Sequence, residues 1–159
     1  MVCRVRTYSQ YYGEHTVKFM VGCTPHGSIS FVSKAYGGRA SDKFIFSDSG
    51  IVGLLEPYAD AVMVDKGFQI EDVCLNHSVD LIRPPFLRAK KQLSPAEAKR
   101  TAEIACARVH VERAIQRLKL FSVMKRKMPW SMLPHVDNII SIVCGITNLQ
   151  APIIADERF

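Results

Sequence analysis

Ser94-Pro95-Ala96-Glu97 is the stretch that most constrains this 159-residue chain. Ser94 has the chemistry of a helix N-cap, Pro95 suits the first helical position, and Glu97, three residues after the serine, closes a capping box. The chain then runs without Gly or Pro until Pro129, and Ile104, Ala107, Val111, Ile115 and Leu118 recur every three or four residues. That spacing predicts one long amphipathic helix reaching Leu120. A closing helix is expected over Pro134 to Leu149, with Val136, Ile139, Ile140, Val143 and Ile146 as its core face.

Upstream the pattern is shorter and richer in β-formers. His15 to Gly22 and Ser28 to Lys34 read as two strands of an antiparallel hairpin, joined by Thr24-Pro25-His26-Gly27, whose Pro and Gly supply turn geometry. Asp42 onward reads as a helix or broken helix ending before Pro57, with Ser41 available as its cap. Ala61 to Val64 is a four-residue apolar run with the pattern of a buried strand that delivers Asp65 at its end. A short helix from Glu71 to Asn76 and a short strand from Asp80 to Arg83, halted by Pro84-Pro85, should follow. Strands first and helices mainly last imply a mixed α/β sheet covered by helices.

Composition excludes several classes. A chain of 17.8 kDa with 48% hydrophobic and 23% charged residues is one soluble globular domain rather than a disordered tail. The longest apolar run, Ile139 to Ile146, is far too short for a membrane span, and the N-terminus lacks the apolar core of a secretory signal. The chain is therefore expected in the nucleus, or in the cytoplasm before import. Cys3, Cys23, Cys74, Cys106 and Cys144 form no C-x-x-C pair, so small buried or half-buried thiols are expected, not a zinc site or a disulfide framework. Charge is concentrated: Arg83 to Lys127 holds thirteen Lys and Arg against three Glu, +10 within a chain whose net charge is +6. Such a segment could follow a nucleic-acid backbone through salt-sensitive phosphate contacts, or be a solvated helix face.

Asp65 and Glu112 are the acids placed where chemistry could sit. Singly, each has a plain explanation: Glu112, flanked by Arg108 and Arg113, would be a surface ion-pair residue, and Asp65 before Lys66-Gly67 a turn residue. The surrounding sequence changes their weight. Thr7-Tyr8-Ser9, His15-Thr16-Val17-Lys18, Gly37-Gly38-Arg39-Ala40-Ser41-Asp42-Lys43, Val62-Met63-Val64-Asp65-Lys66-Gly67-Phe68, Arg108-Val109-His110-Val111-Glu112-Arg113-Ala114-Ile115 and the segment from Pro134-His135-Val136-Asp137 to Thr147-Asn148-Leu149-Gln150 follow one order. In that order and spacing the chain resembles the DDE superfamily endonuclease domain of Harbinger-like and THAP-associated transposases, over nearly its whole length.

The resemblance implies an RNase H-like fold, a five-stranded mixed sheet flanked by helices, spanning 1–159 as one domain. It also implies three carboxylates holding two Mg²⁺ or Mn²⁺ ions, which clamp the oxygens of a phosphodiester displacement. Asp65 matches the second acid and Glu112 the third, as catalytic and metal-binding residues. Arg113 would lie beside the scissile phosphate or buttress Glu112, and Arg108, Arg113, Arg117 and Lys119 are the expected DNA contacts. The family's first acid lies on a central first strand upstream of Thr7-Tyr8-Ser9. With the chain starting at Met1, that strand and acid are expected to be missing, leaving catalysis impaired. The alternative is a domesticated, non-catalytic DNA- or protein-binding module that uses the basic helix. No separate DNA-reading motif is present, so base-specific recognition is expected from a partner. Asp42 is expected to act structurally at a helix start, with help in metal binding as the minority alternative; His15 and His110 are expected to be packed among apolar neighbours; and Tyr8, Tyr11 and Tyr12 are expected to belong to a strand or turn more than to stack bases.

Overall fold

The computed structural model describes residues 7–84 and 94–151. Cys3, Pro85, Arg88, Lys90 and Lys91 lie outside them, as do all residues before Thr7, so the expectation of a missing first strand falls outside them too. The chain divides into two compact units, one made of Met1–Ser41 with His110–Phe159, the other of Asp42–Val109.

In the first unit three short antiparallel ladders follow one another: β1 (Tyr8–Ser9) with β2 (Glu14–His15), β3 (Val17–Lys18) with β6 (Tyr36–Gly37), and β4 (Val21–Cys23) with β5 (Ile29–Val32). The hairpin expected over 15–34 is real only at β4–β5. There Gly27, at φ 84°, supplies the left-handed corner, and its N–H donates to the Thr24 carbonyl at 2.9 Å. The run from His15 to Gly22 is broken because the backbone changes partner. Thr16 N–H donates to the Thr7 carbonyl at 2.8 Å, and Met20 N–H to the Ser33 hydroxyl at 2.8 Å.

Gly38 sits where these ladders converge, its N–H on the Thr16 carbonyl at 2.8 Å. A Cβ at Gly38 would collide with the Thr16 hydroxyl and come within 2.9 Å of the Thr7 carbonyl oxygen. The hydroxyl can rotate away; the backbone carbonyl cannot. Gly38→Ala is therefore expected to destabilise the protein by ~1–3 kcal/mol through overpacking, measured by urea unfolding. The same change at Gly53, where an added Cβ meets nothing, should leave the midpoint nearly unmoved.

The core of this unit lies between β5 and the helical C-terminal half. Ile29 is buried with Ala114, Leu118, Val136, Ile140, Val143 and Cys144, and Phe19, Val21, Val32, Phe121 and Met124 pack against them. The closing helix starts at Val136, after a 3₁₀ turn over Trp130–His135 that contains Pro134. Its expected core face is correct at Val136, Ile140 and Val143 but not at Ile146, which is exposed while Cys144 and Thr147 are buried. Thr147 satisfies its buried hydroxyl by donating to the Val143 carbonyl at 2.8 Å.

The second unit holds α1 (Asp42–Asp48), a 3₁₀ turn over Ile51–Leu54, β7 (Ala61–Met63), α2 (Glu71–Asn76), β8 (Asp80–Ile82) and the first part of α3 (Pro95–Leu120). The broken helix, the short helix and both strands fall where the sequence placed them. β7 and β8 pair in parallel, Val62 opposite Leu81, as a strand–helix–strand crossover requires. The expected burial of β7 is corrected, because Ala61 and Met63 are exposed and only Val62 is half-buried. Among the described residues β7 pairs with β8 alone, so the ladder gives it no second neighbour. Ion pairs tie the unit's surface: Arg83 pairs with Glu71, and Lys43 with Asp72 at 2.6 Å. The hydrogen bond from Lys43 holds the Asp72 carboxyl below its usual range.

Both units together form a mixed α/β architecture of short antiparallel and parallel sheets with flanking helices. Among the described residues, strands of two to four residues pair as four two-stranded ladders. The remaining helix is α4 (Ser122–Lys125), and the closing helix is α5 (Val136–Asn148).

Candidate nucleic-acid interface

The long helix α3 begins as the sequence dictates. Ser94 N–H donates to Glu97 Oε2 at 2.8 Å, and Glu97 N–H returns the bond to the Ser94 hydroxyl at 3.3 Å, so two of the orphan donors at the helix start are satisfied reciprocally. In its C-terminal half Ala114 and Leu118 are fully buried. That face differs from the expected one, since Ile115 is exposed and the small Ala114 carries the close contact. An alanine here lets the helix backbone approach the core, a preference that hydrophobic periodicity ranks below the neighbouring isoleucine.

Beside this buried stripe, Arg113, Gln116, Arg117 and Leu120 line an open surface groove. The spacings 113/117 and 116/120 each stack two side chains one turn apart. Arg117 is oriented by a bond from Nη1 to the Ala151 carbonyl at 2.5 Å. Two guanidinium groups one turn apart on one helix face offer the charge and planar donors that phosphate oxygens accept. Lys119 is exposed but does not line the groove. It lies about 200° around the helix from Arg117, at 100° per residue. Lys125, Arg126 and Lys127 are exposed further along the chain.

Asp65 follows β7 by two residues and is exposed. Its Oδ1 accepts from the Lys66 N–H at 2.6 Å and faces Arg108 Nη1 at 3.2 Å. Arg108, expected from the sequence as a DNA contact and as the i−4 neighbour of Glu112, is thus the cation placed on the candidate acid. Glu112 is exposed on α3 and belongs to the other compact unit. Among the described residues no group of three or more His, Cys, Asp or Glu is placed to hold a metal ion. Mg²⁺ and Mn²⁺ demand several oxygen ligands, and a guanidinium on one acid opposes a cation there.

Other candidate chemistry is disposed of by the surroundings. Burial raises the thiols of Cys23, Cys74 and Cys144 above their usual range, helped at Cys74 by Glu71 and Asp72 and at Cys144 by Cys23. These thiols stay protonated at neutral pH and are poor nucleophiles. Cys106, expected at least half-buried, is exposed. His15, expected among apolar packing, is exposed on β2, its Nδ1 3.0 Å from the Thr7 hydroxyl. His110 is partly buried, with no hydrogen-bond partner at Nδ1 among the described residues.

The family described as DDE superfamily endonuclease matches residues 2–148. The chain belongs to that family. No curated protein and no solved structure matches it. Membership covers the β-rich start, the Asp65 loop, α3 with Glu112, and the closing helix, the segments singled out by the sequence. Among the described residues no helix is long and apolar enough to cross a membrane.

Proposed function

We propose that this DDE-superfamily domain binds DNA through phosphate contacts made by α3, with Arg113 and Arg117 as the principal groups and Lys119 as a lesser one. The observation that carries the reading is the groove in which both arginines stand, inside a segment of thirteen basic and three acidic residues. The contacts are sequence-blind, so target choice falls to a separate DNA-reading partner, and a DNA partner places the protein in the nucleus. The test is fluorescence anisotropy of a labelled duplex titrated between about 50 and 200 mM salt. Affinity should fall steeply with salt and be the same with magnesium or with chelator; a salt-independent affinity would end the reading.

A second reading, that Asp65 and Glu112 hold Mg²⁺ or Mn²⁺, draws support from family membership and from Asp65 itself. Among the described residues Lys66 N–H and Arg108 Nη1 meet Asp65 Oδ1, and Oδ2 is the oxygen proposed for a hard cation. With Arg108 competing, such a site is weak, and cleavage by this chain alone is expected to be slight or nil. Calorimetric titration with Mn²⁺ should give a small heat that disappears in Asp65→Ala and grows in Arg108→Gln. Identical titrations in wild type and Asp65→Ala would remove Asp65 from the metal reading.

A further inference from the structure

The first unit carries an aromatic surface that the groove on α3 does not use. Tyr8, Tyr11 and Tyr12, from β1 and the turn that follows it, are 43%, 88% and 65% exposed, and Trp130, which opens the 3₁₀ turn, is 57% exposed. Exposing several large rings together has a cost that a stable isolated surface seldom bears.

These rings are organised. Tyr8 and His15 are cross-strand partners with centroids 5.5 Å apart, and His15 meets Trp130 at 6.3 Å; both pairs are edge-on, at 72° and 61°. Tyr11 and Tyr12 meet at 4.8 Å and 88°. Edge-on contact orients a ring while leaving flat surface open to a further partner. The Thr7 hydroxyl at His15 Nδ1 adds a polar tether to the central ring.

The charge around the patch identifies the partner. Lys127 Nζ pairs with Glu14 Oε2 at 3.0 Å, which places Lys127, the last of the exposed run Lys125-Arg126-Lys127, at β2. Flat aromatic faces bordered by cations are the chemistry of single-stranded nucleic acid, whose bases stack while its phosphates follow the positive rim. A duplex offers no free base faces, and an apolar peptide gains nothing from three cations.

We propose that Trp130, Tyr8, Tyr11 and Tyr12 form a stacking platform for unpaired bases, with Lys125, Arg126 and Lys127 receiving the strand's phosphates. The proposal goes beyond the phosphate contacts on α3 and does not depend on them. Trp130 is the sole tryptophan of the chain, so its emission reports on this patch alone. The probes are an oligothymidylate of about fifteen nucleotides and an abasic oligomer of equal length. The oligothymidylate should quench Trp130 and bind about tenfold more tightly than the abasic strand. Tyr11→Ala and Tyr12→Ala, at exposed positions, should each weaken oligothymidylate binding at an unchanged melting temperature, and Trp130→Ala should do so too. Arg113→Gln/Arg117→Gln should keep the quenching and the preference over the abasic strand even if total affinity drops, separating failure of the groove reading from failure of this one. Equal binding of the two strands, or no quenching by either, as expected if the patch docks a protein, would overturn the platform.

Discussion

Arg113→Gln/Arg117→Gln is expected to lower affinity for double-stranded DNA by at least ~10-fold and to reduce the slope of log K against log[salt] by about 2, one for each arginine withdrawn from a phosphate. The effect should be nearly independent of DNA sequence, since phosphate contacts carry no base information. Lys119→Gln should cost less, because Lys119 does not line the groove. Both variants keep the neighbouring core residues Ala114 and Leu118, so their melting temperatures should match wild type. The salt slope is the decisive readout: an arginine that merely solvates a helix would leave it untouched. A double variant with an unchanged slope would return α3 to the plain reading of a solvated helix face. An effect at Lys119 equal to that at the arginines would mean that charge, not groove geometry, directs the binding.

The long helix was legible because its start is written in local chemistry. Ser94 and Glu97 form both bonds of the capping box, and no Gly or Pro follows before Pro129. The short helix at Glu71–Asn76 and strand β8 were legible for the same reason, being bounded by residues that decide structure locally. The parallel pairing of β7 with β8 and the partner changes at Thr16 and Met20 were not, since they depend on segments far apart in sequence. Burial was misjudged where size outweighed hydrophobicity: Ala114 is buried and Ile115 is not, because close helix approach favours the smaller side chain. The candidate acids were legible only through the family pattern. Asp65 alone is a turn residue by every local criterion, and nothing local announces that Arg108, 43 positions later in sequence, faces it at 3.2 Å. The groove arginines were visible as charge, while their separation from Lys119 required the phase of the helix.

Asn148→Ala is expected to destabilise the protein by roughly 1–3 kcal/mol, since two backbone groups of Ile29 lose their partner in a part-buried setting. The Asn148 amide answers both polar groups of one strand residue: Ile29 N–H donates to Oδ1 at 2.9 Å, and Nδ2 donates to the Ile29 carbonyl at 2.8 Å. Ile29 is itself a buried core residue, so β5 has no ready substitute for either bond. At the other end of α5, Asp137 Oδ1 accepts from the Ala35 N–H at 2.6 Å, in a more exposed setting where water can replace the missing partner. Asp137→Ala should therefore cost less than Asn148→Ala, and Leu149→Ala, whose side chain is exposed, little. Asn148→Asp should lose about as much as alanine, because it keeps the acceptor for the Ile29 N–H but turns the donor toward the carbonyl into a second acceptor. Urea unfolding of the four variants orders these expectations, and an Asn148→Ala midpoint equal to that of Leu149→Ala would refute the staple. The segments Pro134-His135-Val136-Asp137 and Thr147-Asn148-Leu149-Gln150, which carried part of the family resemblance, thus hold a helix to the strand ladder. Asp137 and Asn148 in these segments serve the architecture.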